Sequence, residues 1–244
     1  MPININYDEA VVTRYIAESL SNFYQKLIIN INSLNIKKIL RRKNPYLFRA
    51  KAMKGAAQII EAILSAYVSS SEETIFGNEF FEPIASAVSG GNKALAEGID
   101  IMIEKDQTIY AIAVKSGPNA FNANSKKKQE QNFMAAGKLA QQARKRFVPI
   151  VGYGYGIKRN NDKGVPKFYQ ELSGQSFWTE LTGDSDFYIK LIRMMDKLPE
   201  SYVEDFEEAY QKAANRLLNE FTNEFCFPDG GINWEKLVRY NSGN

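Results

Sequence analysis

The sequence predicts an α/β protein in which helices flank a small mixed sheet. Three observations predict this class: apolar residues recur at helical spacing towards both ends, two short central segments alternate like strands, and an apolar strand follows a further helix. The chain has no internal repeat and no linker long enough to mark a domain boundary. We therefore expect one domain over residues 1–244.

The N-terminal part is predicted to be helical. Residues 8–31 and 46–67 carry apolar side chains at near-helical spacing. Ser69–Ser71 precede two glutamates, a pattern typical of a helix start. We expect that helix to run toward Val88 and to be closed by the Ser-Gly-Gly sequence at 89–91.

The central part is predicted to hold the sheet. Residues 98–104 and 108–115 read GIDIMIE and TIYAIAVK, and the polar residues between them indicate a β-hairpin. A helix over about 125–146 and a buried strand over 147–153 follow. The last third returns to helical patterns, most clearly over 200–224.

Composition excludes several classes of chemistry. The 244 residues are 44% hydrophobic and 24% charged, and no apolar run approaches the roughly 20 residues of a membrane span. The N-terminus lacks a signal-peptide pattern, and the single cysteine, Cys226, fits a reducing cytoplasm. The absence of histidine excludes histidine-based triads and metal sites. Any acid–base or metal chemistry must therefore come from carboxylates, lysines and tyrosines.

Basic side chains form three clusters although the net charge is only +3. The first spans Lys37–Lys54 without an acid, the second is Lys126–Lys128, and the third runs from Lys158 to Lys167. Such clusters indicate a polyanionic partner, since phosphate contacts dominate the affinity of nucleic-acid binders. Each cluster taken alone also fits a solvated helix face.

The predicted hairpin brings an acid and a lysine together. Alternation places Asp100 on the polar face of the first strand and puts Lys115 on the face of Ala113 in the second. A carboxylate there can hold Mg²⁺, which lowers the pKa of a bound water, while the lysine stabilises the hydroxide and the phosphate. The same pair also fits an edge salt bridge without a catalytic role.

These residues resemble a known group of nucleases. GID, a short turn and AVKSGPN resemble the bipartite motif of the PD-(D/E)xK superfamily and, more narrowly, of type II restriction endonucleases. The resemblance extends over about 44–195 and includes NPYLFRAKA at 44–52, SSSEETIFGNEFFE at 69–82 and GQSFWTELTGDSDFY at 174–188.

The resemblance implies a restriction-endonuclease-like core with helical N- and C-terminal additions. The helical shell would cover about 1–70, the catalytic core about 71–155, and a recognition loop with a helical part about 156–244. The implied activity is Mg²⁺-dependent hydrolysis of double-stranded DNA at a specific sequence. The enzyme would act as a homodimer or a heterodimer, and a companion DNA methyltransferase would accompany it.

Two of the three motif positions of the superfamily are matched in this sequence. Asp100 matches the metal-binding aspartate and Lys115 the motif lysine, but Ala113 stands where the second carboxylate is expected. Three explanations compete. In the first, the carboxylate has migrated to the following helix, where Glu130 fits best. In the second, an acid was changed to alanine by engineering, and in the third, the protein has lost cleavage and only binds DNA. Glu82, on the helix before the hairpin, is a further catalytic and metal-binding candidate, and Glu79 could substitute for it.

Residues predicted to bind DNA follow the motif lysine and the central strand. Arginine can contact guanine and asparagine adenine in the major groove, and lysines can follow a phosphate strand. The candidates are Asn119, Asn122, Lys126 and Lys127 near the lysine, and Lys158, Arg159, Asn160, Asn161 and Lys163 in the recognition loop. A structure-specific repair or junction nuclease of the same superfamily is the remaining alternative.

Overall fold

Helices and a five-stranded sheet make up the protein in the computed structural model. The structure describes residues 2–3, 7–94, 96–158 and 167–243. Across these residues no helix combines the length and the apolar character needed to cross a bilayer. The predicted class, an α/β protein with a small mixed sheet flanked by helices, is confirmed.

The chain divides into two compact units. One comprises Met1–Phe23 and Glu73–Pro199 and contains the five strands. The other comprises Tyr24–Glu72 and Glu200–Asn244 and is helical. The residues predicted for catalysis all belong to the first unit.

Ten helices are present in the described residues. They are α1 (Glu9–Asn32), α2 (Ile36–Leu40), α3 (Pro45–Ala50), α4 (Ala56–Phe76), α5 (Glu82–Ser89), α6 (Ala123–Gln142), α7 (Gln175–Thr182), α8 (Phe187–Met195), α9 (Glu200–Phe225) and α10 (Trp234–Ser242). A π-helical turn, Gly77–Phe81, joins α4 to α5. Because the division between the units falls inside α1 and α4, each of these two helices contributes residues to both units.

The strands follow one another across the sheet in chain order. They are β1 (Asn92–Lys93), β2 (Ile101–Lys105), β3 (Thr108–Lys115), β4 (Arg146–Tyr153) and β5 (Gln170–Ser173). The first three pair antiparallel, whereas β3, β4 and β5 pair parallel. The carboxyl ends of β3, β4 and β5 therefore meet at one edge of the sheet, together with the start of β2.

A two-residue turn fixes the register of the β2–β3 hairpin. Asp106 and Gln107 both have positive φ, 48° and 58°, as a type I′ turn requires. Ile101 lies opposite Ile112, and the Asp100 N–H donates to the Ile112 carbonyl at 2.9 Å. The turn thus places Asp100 beside the last residues of β3.

Helices cover both faces of the sheet. Ala113 and Val151 pack in an apolar cluster with Phe133 of α6. On the other face Gly152 lies against the ring of Phe177 in α7, which leaves no room for a Cβ. Since neighbouring strand residues point to opposite faces, α6 and α7 lie on opposite sides of the sheet.

The helical unit has an apolar core of its own. Phe48 of α3, Ile63 of α4 and Phe221 of α9 are buried in it. Asn35 and Asn44 begin α2 and α3, and the side chain of each accepts hydrogen bonds from backbone N–H groups of the first turn.

Two predicted helix limits are wrong. The helix expected over 46–67 is broken, since α3 ends at Ala50 and α4 begins only at Ala56, with Ala52 at a φ of 55° between them. The start expected at Ser69–Ser71 lies inside α4. Buried Val68 and Ile75 continue the apolar face there, so tertiary packing outweighs the weak capping preference of the serines.

Other predicted elements are confirmed with shifts of a few residues. They include the helix over 8–31, the hairpin, the helix after it and the strand over 147–153. The sequence reading missed β5 and α10. Both are short, four and nine residues, and β5 has no apolar alternation.

Candidate active site

Asp100 and Lys115 lie side by side where β2 begins and β3 ends. The Lys115 Nζ is 3.5 Å from Asp100 Oδ2, and the two side chains are 27% and 22% exposed. The Val114 N–H donates to Asp100 Oδ2 at 2.7 Å, and Lys115 Nζ donates to the Val114 carbonyl at 2.8 Å. The backbone therefore orients both groups, and both remain open to a substrate.

Glu82 adds a second carboxylate to this pair. Burial, followed by the negative charge of Asp100, raises the pKa of Glu82 to about 7, while the positive charge of Lys115 acts in the opposite direction. This coupling indicates that the three groups are close in space. Glu82 and Asp100 line one cavity of about 520 Å³.

The π-helical turn immediately precedes Glu82. It replaces a turn of regular α-helix between α4 and α5, and such turns are frequent at functional sites. Glu79 lies in the turn, and its charge also contributes to the raised pKa of Glu82. Asn78, from the same turn, lines the cavity with Glu82 and Asp100.

The pair of carboxylates fits a magnesium ion. Mg²⁺ takes oxygen ligands, keeps several waters and is often held by only one or two carboxylates plus substrate phosphate. Glu82 and Asp100 provide this donor set, and the negative charge of Asp100 adds to the effect of burial in raising the pKa of Glu82. Within the described residues, no group of three or more histidine, cysteine, aspartate or glutamate side chains could hold a metal.

Glu130, the predicted second carboxylate, lies on α6 next to the buried face of that helix. The buried face of α6 consists of Gln129, Phe133, Ala136, Gly137 and Ala140. Gln129 reaches β2 and donates to the Gly98 carbonyl at 2.6 Å. Glu130 is one position farther around the helix, where it is half-buried and its charge acts on Tyr169. Ala113 is fully buried in the apolar cluster under α6.

The predicted DNA contacts near Lys115 differ in their surroundings. Asn119 and Lys127 are exposed, and Lys126 is half-buried. Asn122 is the N-cap of α6: its side chain accepts from the Ser125 N–H at 2.9 Å, and the Ser125 hydroxyl accepts from the Asn122 N–H.

Lys158 makes contacts inside the protein. Its Nζ donates to the Pro118 carbonyl at 2.9 Å and lies 5.1 Å from the centre of the Tyr153 ring. The rest of the predicted recognition loop, namely Arg159, Asn160, Asn161 and Lys163, lies outside the described residues.

A buried carboxylate on β5 was missed by sequence reasoning. The Glu171 side chain on β5 is 2% exposed, is ion-paired with Lys167 and accepts from the Tyr153 hydroxyl at 2.7 Å. Burial opposes its ionisation, but these hydrogen bonds hold the pKa of Glu171 below its usual value. No local pattern identifies Glu171, because its burial depends on strand pairing and on partners in other segments.

An aspartate and a lysine at adjoining strand ends, with a glutamate on the preceding helix, are consistent with a nuclease core of the PD-(D/E)xK type. The family described as type II restriction endonuclease EcoO109I matches residues 10–201, well over half of the chain. The protein therefore belongs to this family of type II restriction endonucleases. A comparison with curated proteins finds no match.

Proposed function

We propose that the protein is a Mg²⁺-dependent endonuclease that hydrolyses phosphodiester bonds in double-stranded DNA at a specific sequence. The observation that carries the proposal is the meeting of Asp100, Lys115 and Glu82 at one edge of the sheet. Membership of a restriction endonuclease family supports a nuclease that acts on DNA.

Each of the three side chains has a proposed role. Asp100, held by the Val114 N–H, and Glu82 would bind Mg²⁺, which supplies Lewis-acid catalysis at the phosphate. Lys115 donates to a phosphate oxygen as negative charge develops there. In the hydrolysis a water oxygen bonds to phosphorus while the bond to the leaving sugar oxygen breaks.

Glu82 has stronger support than Glu130 as the second carboxylate. The pKa of Glu82 responds to the charge of Asp100, whereas Glu130 acts on Tyr169. The full burial of Ala113 among apolar side chains supports an active site built without an acid at that position. A DNA-binding protein without cleavage is the second candidate function, because Ala113 stands at the motif position for an acid.

The proposal includes the DNA contacts and the partners predicted from the sequence. Asn119, Lys126 and Lys127 would contact DNA beside the active site. The residues that would read the sequence are Lys158, Arg159, Asn160, Asn161 and Lys163. Asn122 would act there mainly as a helix cap. A homodimer and a companion methyltransferase in the same cytoplasm complete the proposed system.

Cleavage of plasmid DNA tests the proposal. With Mg²⁺, the wild-type protein should yield discrete fragments, and Lys115→Ala should cleave at least about 100-fold more slowly. Lys145→Ala is the matched control, because Lys145 is 24% exposed and paired with Glu104 away from the site. It should cleave at the wild-type rate.

Two results would contradict the proposal. Equal cleavage by the wild type and by Lys115→Ala would remove the lysine from the reaction. Intact plasmid at every Mg²⁺ concentration, together with tight and salt-sensitive DNA binding, would establish the binding protein instead.

A further inference from the structure

The loop that follows Lys115 is held by polar contacts outside the carboxylate pair. The Lys115 carbonyl accepts from the Gly154 N–H at 2.8 Å, and the Ser116 carbonyl accepts from the Tyr155 N–H at 3.2 Å. The pairing of β3 with β4 thus continues past Lys115. A second cavity, of about 400 Å³, lies beside this loop and is lined by Lys115, Asn119 and Glu73, among others.

Glu73 of α4 links the loop to the segment after β4. Its Oε1 accepts from the Ser116 hydroxyl and from the Tyr155 hydroxyl, each at 2.7 Å. Gly77, one turn later in the chain, permits the approach, since a Cβ there would be 3.2 Å from the Ser116 Cβ. Tyr155 also packs on Gly117, whose missing side chain leaves space for the ring.

The location of Glu73 is unfavourable for DNA binding. Glu73 is exposed, and it lines a cavity that also holds the proposed catalytic Lys115. A negative charge there repels phosphate, so a role in attracting the substrate is excluded by its sign. Hydrogen bonds to a carboxylate are stronger than those between neutral groups, and the bond to Glu73 raises the pKa of the Tyr155 hydroxyl.

The geometry points to Glu73 as a positioning residue for Lys115. By holding Ser116 and Tyr155 on a single carboxylate oxygen, Glu73 fixes the strand end that carries the lysine. The ammonium then remains next to Asp100 when DNA enters. The inference rests on the proposed function, because Lys115 is the group whose position it explains.

Three variants of the full-length protein test this role in single-turnover cleavage. Glu73→Ala should lower the rate about 10- to 100-fold, as expected when a reacting group is misplaced. Its Kd for an uncleaved duplex in Ca²⁺ should be unchanged or lower, because a negative charge is removed. Glu73→Gln retains an acceptor oxygen and should keep at least about one third of the rate. Glu72→Ala, on the same helix, controls for the change of charge.

The second readout is hydrogen–deuterium exchange of residues 115–120. Exchange should be faster in Glu73→Ala and unchanged in Glu73→Gln. If Glu73→Ala fails to fold, the double variant Ser116→Ala/Tyr155→Phe removes the partners instead, and it should show the same loss of rate.

The outcomes separate this inference from the proposed function. A wild-type rate in Glu73→Ala, an equal loss in the Ala and Gln variants, or a loss confined to Kd would overturn the positioning role. If the wild type cleaves no DNA, the proposed function fails. Hydrogen–deuterium exchange of residues 115–120 then still tests whether Glu73 holds Ser116 and Tyr155. Faster exchange in Glu73→Ala supports this role, and unchanged exchange overturns it.

Discussion

The carboxyl of Glu82 is destabilising for the folded protein when it is ionised. Its pKa is raised from 4.5 to about 7 by burial and then by Asp100. Below pH 4.5 the group is protonated in the folded and the unfolded chain, so it has no effect on stability. As the pH rises from 4.5 to 7, the folded state must lose a proton that the unfolded state loses more easily, and stability falls.

Glu82→Gln should remove this penalty. We expect the variant to unfold with the same free energy as the wild type near pH 4.5 and to be more stable by about 2 kcal/mol above pH 7, with screening by solvent allowed for. Urea denaturation at pH 4.5, 6 and 8 measures the difference. A constant difference over this range would contradict the raised pKa of Glu82 in the folded protein.

Mg²⁺ provides a control for the same variant. At pH 8 the ion should raise the melting temperature of the wild type, because it binds the folded state through the two carboxylates. The melting temperature of Glu82→Gln should respond much less. An equal response would indicate that Glu82 is not a ligand.

Part of the candidate site could be proposed from the sequence because that part is local. Asp100 and Lys115 stand out because two alternating segments and a short polar turn bring them together, and Glu82 lies on the helix just before. Glu73 was missed because its partners, Ser116 and Tyr155, are 43 and 82 residues away. Which of two neighbouring residues of α6 faces the sheet, Gln129 or Glu130, also depends on packing rather than on local pattern.

At the scale of elements, the start of α6 shows how a predicted DNA contact can have a structural role. Asn122 and Ser125 form a reciprocal capping box. Asn122→Ala should therefore lower the free energy of unfolding by about 1 kcal/mol, whereas Asn122→Ser should retain most of it. Thermal denaturation compares the two variants.

DNA binding separates capping from direct contact with bases. If Asn122 acts only as a cap, the serine variant binds duplex DNA as tightly as the wild type. A loss of sequence preference in Asn122→Ser at unchanged stability would instead establish a contact with DNA.

Strong periodicity made α1, the hairpin and β4 predictable as elements. The connection between α4 and α5 was not predictable, since a π-helical turn adds no sequence signal of its own. The three serines at 69–71 followed by two glutamates have the sequence pattern of a helix start. The buried residues on either side of them nevertheless keep α4 continuous. Local preferences are worth less than about 1 kcal/mol per residue, and packing overrides them.

At the scale of the whole molecule, the basic segment Lys37–Lys54 belongs to the helical unit. Three of its cations have partners within that unit: Lys37 pairs with Glu224 at 2.9 Å, and Arg41 and Arg49 lie over the rings of two aromatic residues of α10. Four others are exposed and accessible to a partner. These are Lys38, Arg42, Lys51 and Lys54.

Neutralising these four cations should weaken DNA binding in a salt-dependent manner. Each lost phosphate contact lowers the slope of log K against log salt by about 0.9, so a change to glutamine at all four should reduce the slope by up to about 3 to 4. Four exposed cations of the other unit serve as the charge-matched control. They are Lys138, Arg144, Arg193 and Lys197.

Titration of a fluorescent duplex in Ca²⁺ at several salt concentrations measures both slopes. Because the two variants change the net charge equally, a general loss of attraction would lower both slopes alike. Only direct phosphate contacts by the helical unit lower the first and leave the second unchanged. If the first variant keeps its slope and sediments as a smaller species than the wild type, the basic segment binds a second copy of the chain rather than DNA.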